Sequence, residues 1–171
     1  HETYWRVLRM YGSKFLHGDN THDAPGRSRQ IVLRMQESNQ LELQPTAMHW
    51  NQVLSAYANC SNAERPLQAA QLLYEMDSKG LADASSFSHA LRACVALSRR
   101  QQHSSAKFEK LAVTVAGRIW NGLKQSQDKI DRESFHFLHM LRVARNIRET
   151  NQRDAFTKTI FEEATKSQKI N

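Results

Sequence analysis

The sequence predicts an all-α fold: a right-handed α-solenoid of about four helix–loop–helix repeats, eight helices in all. Three observations lead there. The first is composition. Gly (6) and Pro (3) are scarce among 171 residues, good helix formers abound, and a β-sandwich needs many more turn residues. The second is a recurring phrase. "FSHALRA" at 87–93 and "FLHMLRV" at 137–143 both read aromatic, any residue, His, small or apolar, Leu, Arg, apolar. Tyr4–Leu8–Arg9 and Trp50–Leu54–Ser55 repeat its core, so the aromatics recur at intervals of 46, 37 and 50 residues. The third is spacing. Seven residues after each aromatic stands Tyr11, Tyr57, Cys94 or Ala144, which places aromatic, Leu and third residue on one helical face. A repeat of this period marks stacked helical pairs, because one pair cannot bury its apolar face alone.

Each phrase is a first helix, followed by a break and a second amphipathic stretch. After Tyr4 come "HGDNTHDAPG" and then "RSRQIVLRMQES", with Ile31, Val32 and Met35 as the stripe. After Trp50 comes "PLQAAQLLYEMDSKG". Pro66 suits a first helical turn, Leu67, Ala70, Leu73, Tyr74 and Met76 mark the apolar turns, and Gly80 suits a C-terminal stop. After Phe87 comes the long "AKFEKLAVTVAGRIWNGLKQS", and after Phe137 comes "QRDAFTKTIFEEATKSQ", with Phe156, Ile160, Phe161 and Ala164 in register. Asp83 and Asp131 are expected as N-caps of the helices that follow them. The units are then 1–45, 46–83, 84–131 and 132–171, forming one helical-repeat domain. A polar tail, "EEATKSQKIN", suits a terminal unit, whereas "HETYWRVLRMY" does not, so further chain is expected before His1.

Bulk properties exclude several classes. No apolar run approaches the ~18 residues of a membrane span. Cys60 and Cys94 form no CxxC pair, which disfavours a disulfide framework and favours a reducing interior. A net charge of +7 and pI near 9.7 suit a polyanionic partner or an acidic assembly. "HGDNTHD" gathers His17, Asp19, His22 and Asp23, but the loop has no Cys and no tetrahedral ligand spacing, so a polar loop is expected rather than a metal site. Glycine-rich phosphate loops, paired His–Glu motifs and nucleophile elbows are missing. The chain is expected to be no enzyme and to need no cofactor.

Unit two, "PTAMHWNQVLSAYANC…AAQLLYEMDSKGLAD", resembles a pentatricopeptide repeat. The first helix opens with an aromatic–Asn pair and continues apolar–Leu–small–small–Tyr, here Trp50, Asn51, Val53, Leu54, Ser55, Ala56 and Tyr57. The second helix ends in "LLYEMDSKG" and a short link leads to Asp83. The match is good over about 46–83 and looser elsewhere, where units depart from the family's period of about 35 residues.

The resemblance implies RNA binding in a mitochondrion or chloroplast, for RNA processing, stability or translation, with one base read per repeat. It implies two main readers per unit, the residue after the aromatic and the last residue of the repeat. Those are Asn51 and Asp83 in unit two, an amide and a carboxylate suited to a pyrimidine edge, with uracil the best fit. They are Ser88 and Glu133 in unit three, Trp5 and Thr46 in unit one, and Leu138 in unit four; only unit two keeps the family pattern. Arg9, Arg92 and Arg142 follow the recurring Leu in their units and are expected as a basic line that holds phosphates. Arg142, Arg145 and Arg148 recur every three residues and are expected as a basic ridge on one helical face that meets phosphate or an acidic partner, with Arg145 joining the phosphate contacts, while Arg99 and Arg100 precede a loop. His89 and His139 are expected to pack or to bond between units. The rival expectation is a protein–protein scaffold, a subunit or assembly factor docked on a larger complex.

Overall fold

A computed structural model describes residues 2–13, 23–60, 62–95, 106–126, 130 and 133–166. His17, Asp19, His22, Arg99, Arg100 and Asp131 lie outside the described residues. Within them the chain is all-helical and repeat-like. Four helical pairs follow one another: α1 (Glu2–Gly12) and α2 (Ala24–Glu37), α3 (Ala47–Asn59) and α4 (Arg65–Ser78), α5 (Ala84–Ala93) and α6 (Ala106–Gln125), α7 (Ser134–Ala144) and α8 (Thr150–Lys166). A 3₁₀ turn, Leu41–Leu43, joins the first pair to the second. The first helices pack in sequence, α1 on α3, α3 on α5 and α5 on α7. Each second helix packs against its own partner, and α2, α4 and α6 also reach the first helix of the next pair.

The shared face is the core. Trp50, Phe87 and Phe137 are buried, as are Leu8, Leu54, Leu91, Tyr57, Cys94 and Ala144. The two end pairs depart from the expectation. Tyr4 is exposed and Leu141 only half-buried, because α1 and α7 each have a neighbouring first helix on one side while α3 and α5 are covered on both. In α4 the buried side is Pro66, Ala69, Ala70, Leu72, Leu73 and Met76. Leu67 and Tyr74, expected to pack, lie seven residues apart on one line and face outward; the buried side is the one shared among α3, α5 and α6. On α8, Ile160 and Ala164 are buried and Phe156 half-buried, whereas Phe161 is exposed because α8 is covered mainly by α7.

Helix ends are set locally. Pro66 occupies the first turn of α4. Gly80, at φ 66°, ends that helix in the left-handed conformation, and the Leu81 N–H reaches back to the Met76 carbonyl at 2.9 Å. Three first helices carry the same capping device. The backbone N–H of Thr46, Asp83 or Glu133 donates to the third helical residue, His49 Nδ1 (3.2 Å), Ser86 Oγ (3.1 Å) or His136 Nδ1 (2.9 Å). Asp83 is therefore the cap that its sequence position predicts. At α7 the cap is Glu133, two residues later than the expected Asp131.

Between pairs, polar side chains take up the carbonyls that each first helix leaves unpaired at its C-terminus. Ser55 and Asn59 of α3 donate to the Gly12 carbonyl at the end of α1 (2.8 and 2.7 Å). A Cβ at Gly12 would lie 3.1 Å from the Gln52 carbonyl oxygen and 3.3 Å from Ser55 Cβ, so the crossing is tight at this glycine. Asn146 donates to the Cys94 carbonyl at the end of α5 (3.2 Å). The strongest clasp is Arg65, only 1% exposed. Its Nη1 donates to the Cys60 carbonyl (2.6 Å), its Nε to Ala93 (3.0 Å) and its Nη2 to Val95 (2.8 Å), so one guanidinium joins the ends of α3 and α5. The second helices are tied by ion pairs, Arg29 with Glu75 (2.9 Å) and Lys124 with Glu163 (3.1 Å), the latter carboxylate also accepting from Trp120 Nε1 (2.8 Å).

Arg65→Ala removes three hydrogen bonds from carbonyls that stay buried. Stability should fall by about 3 kcal/mol or more, read as a drop in the urea midpoint. Arg65→Lys, which keeps the charge but not the planar fork, should recover less than half of that loss.

Candidate nucleic-acid interface

One position after each aromatic, and four further on, the first helices present the pairs Trp5/Arg9, Asn51/Ser55, Ser88/Arg92 and Leu138/Arg142. Spacing puts both members of each pair on one side of their helix. The packing of α1, α3, α5 and α7 in order sets these four sides next to one another. This face is the candidate interface.

The structure brings Asn51 and Asp83 together. Asn51 is 6% exposed, and its amide donates to both Asp83 oxygens (3.1 and 3.2 Å). Ser86 Oγ donates to the Asn51 carbonyl oxygen (2.7 Å), and the Ser86 N–H donates to Asp83 Oδ1 (2.8 Å). The two expected readers thus hold each other and the start of α5. A base edge that reaches Asn51 has to take over a bond that Asp83 now accepts. Ser88, at the corresponding place in the next unit, is half-buried and makes no side-chain hydrogen bond among the described residues. Leu138 is 45% exposed and offers no polar edge. Thr46 and Glu133 serve as helix caps.

The arginines fall into distinct states. Arg9 is exposed and lies over the Trp5 ring, its guanidinium carbon 5.1 Å from the centroid. Arg142 and Arg145 are exposed. Arg92 is half-buried between α3 and α5; its Nη2 donates to Ser55 Oγ (2.9 Å), while its Nε is buried without a partner. Since Ser55 in turn donates to Gly12, a polar chain runs from α5 through α3 to α1. The ridge expected from Arg142, Arg145 and Arg148 does not form on one helical face, because α7 stops at Ala144. Arg145 caps that end, and Arg148 lies in the following link, paired with Glu109 at 2.7 Å.

The histidines of the α5 and α7 first helices are held toward the neutral form. His89 and His139 hold equivalent places on α5 and α7, three residues before Arg92 and Arg142. Burial and the Arg92 charge push His89 down to about 4 against a weak pull from Asp83. Burial, then Arg142, Arg92, His136 and His89, push His139 to about 4. Nδ1 of each ring is buried without a partner. The unit-to-unit bond expected of these two is made by His136, whose Nε2–H donates to the Ala84 carbonyl (2.8 Å) while Nδ1 accepts from Glu133. Those two bonds fix the neutral Nε2–H tautomer. The sequence signal for His136 was present but faint: a side chain able to accept, three residues after a cap. Arg65 gave none, since an arginine beside Pro66 reads as a solvated first turn. Among the described residues no group of His, Cys, Asp and Glu is arranged to hold a metal ion. No helix of the described residues is long and apolar enough to cross a membrane. No family model matches the chain, and no curated protein or solved structure is similar to it.

Asn51→Ala should lower stability by about 1–3 kcal/mol, the cost of leaving Asp83 and Ser86 short of partners, as measured by urea denaturation. Stability should also fall with acid. An imidazole at about 4 in the folded chain and near 6.5 unfolded takes up its proton first in the unfolded chain. Its contribution is complete above pH 6.5 and declines as the pH drops toward 4. At pH 5 His139 alone should cost about 2 kcal/mol. Denaturation midpoints at pH 7 and pH 5 should show that fall, and His139→Gln should reduce it.

Proposed function

We propose that this chain is a short pentatricopeptide-type α-solenoid that binds single-stranded RNA in a mitochondrion or chloroplast. The observation that carries the reading is the recurrence of Arg9, Arg92 and Arg142 at one helical position on first helices that pack in order. Cations repeated along one face suit a strand whose phosphates repeat. On this reading Arg9 and Arg142, with Arg145 beyond, meet backbone phosphates, and Trp5 offers a stacking surface for a base. Ser88 is the reader open to contact, and Asn51 with Asp83 reads a base only by exchanging their mutual bonds. The expected result is salt-sensitive binding with at most a mild preference for uracil. Such a protein holds or protects an RNA during its processing or translation and carries out no chemistry itself.

A second reading, a protein–protein scaffold docked on an organellar assembly, draws support from the consumed amide of Asn51 and the exposed Leu138. One experiment separates the two. Binding of labelled single-stranded RNA, uracil-rich against mixed, is measured across a salt series for the wild type and for Arg9→Ala/Arg142→Ala, both exposed and safe for folding. RNA binding predicts a loss of about tenfold or more in the double variant and a salt slope shallower by about 1.4. Unchanged affinity, or no binding at moderate salt, favours the scaffold.

A further inference from the structure

The seam between α5 and α7 holds more positive charge than its hydrogen bonds use. Arg92 and Arg142 stand one turn beyond His89 and His139 on the two helices. The groups acting on His139 are Arg142 and His136 from its own helix and Arg92 and His89 from α5; among the described residues none of them is acidic. Asp83, the one carboxylate acting on His89, is engaged by Asn51 and Ser86. Three buried nitrogens in this seam, His89 Nδ1, Arg92 Nε and His139 Nδ1, have no hydrogen-bond partner. His139 itself is only 7% exposed. A buried polar atom without a partner is costly, and three in one place are an unmet demand for an acceptor. Each can present an N–H, and two cationic side chains flank them. The complementary group is a tetrahedral oxyanion.

We propose that the α5–α7 seam binds one phosphate group through Arg92, Arg142, His89 and His139, and that occupancy brings a proton onto the histidines. As a phosphodiester site on RNA it rests on the reading above; as an oxyanion site it does not. The order of events follows from electrostatics. In the empty seam the arginines disfavour an imidazolium. A bound phosphate reverses the local field, so His139 accepts a proton from solvent and donates it in a charge-assisted hydrogen bond. Arg92 turns from Ser55 to the ligand, which opens the seam to it. By linkage, anion affinity rises as the pH falls, by up to about tenfold per pH unit for each proton taken up.

The test follows the imidazole signals of His89 and His139 by NMR in the intact chain between pH 4 and 8. It is run in chloride, in inorganic phosphate at equal ionic strength, and with a short single-stranded RNA, for wild type and Arg142→Ala. The proposal expects His139 to titrate near 4 in chloride and at least one pH unit higher with phosphate and with RNA. The exposed Arg142→Ala should weaken both effects. RNA that binds while His139 titrates as in chloride with both ligands overturns the proposal and leaves RNA binding standing. A shift with phosphate but no RNA binding at any pH upholds the oxyanion site and overturns the RNA reading. No shift with either ligand, and no RNA binding, overturns both.

Discussion

The structure depends on what happens to the ends of its first helices. These helices are short, ten to thirteen residues, and lie side by side, so their terminal N–H and C=O groups sit where neighbouring units crowd out water. Each end must find a partner from its own cap or from the next unit. At the N-termini the third residue closes a capping box, and in two cases it also bonds the previous first helix: Ser86 to Asn51, His136 to the Ala84 carbonyl. At the C-termini of α1 and α5 the next unit supplies a donor, Ser55 and Asn59 or Asn146, and Arg65 reaches from α4 to the end of its own α3 and forward to the end of α5. Apolar burial drives the helices together without fixing their register. These directional bonds fix it.

That requirement shapes the candidate interface. A side chain that clasps a neighbour is withdrawn from solvent, and Asn51, Ser55, Asp83 and Arg92 are all used in this way. What remains outward on the same face is mainly cationic or apolar, Arg9, Arg142 and Leu138, with Ser88 the half-buried polar exception. A surface of that kind holds a charged backbone well and distinguishes bases poorly, since base discrimination needs paired donors and acceptors at fixed positions. His89 and His139 sit between the two conditions, their Nδ1 atoms buried like the clasps yet unpaired.

Much of the architecture was legible in the sequence because apolar periodicity is a one-dimensional signal. The aromatic–Leu spacing located all four first helices, Pro66 and Gly80 marked the limits of α4, and Asp83 read correctly as a cap. What could not be read depended on the third dimension. Which flank of α4 faces inward is decided by three neighbours, so Leu67 and Tyr74 were assigned to the core and lie outside it. The three-residue spacing of Arg142, Arg145 and Arg148 makes a ridge only if the helix continues, and it stops at Ala144. Arg65 and His136 act through carbonyls more than twenty-five residues away, and no local pattern announces such a contact. For the candidate site, residue positions were foreseeable, but whether a side chain is spent on a neighbour or left open was not.

The clasp at Arg65 bears on how the chain gains and loses its structure. Its three acceptors belong to the links closing α3 and α5, 5, 28 and 30 residues along the chain, and the substantial helix contacts likewise join adjacent pairs. Contacts of such short reach close small loops, so ordering can spread from one pair to the next at little entropic cost. In a chain assembled this way cooperativity is a property of each junction rather than of the whole. The guanidinium is one of several bonds at the junction between the second and third pairs, beside Ser86 with Asn51 and Arg92 with Ser55. Losing it loosens the coupling of the two halves at that junction, while the packed helix faces still hold them together.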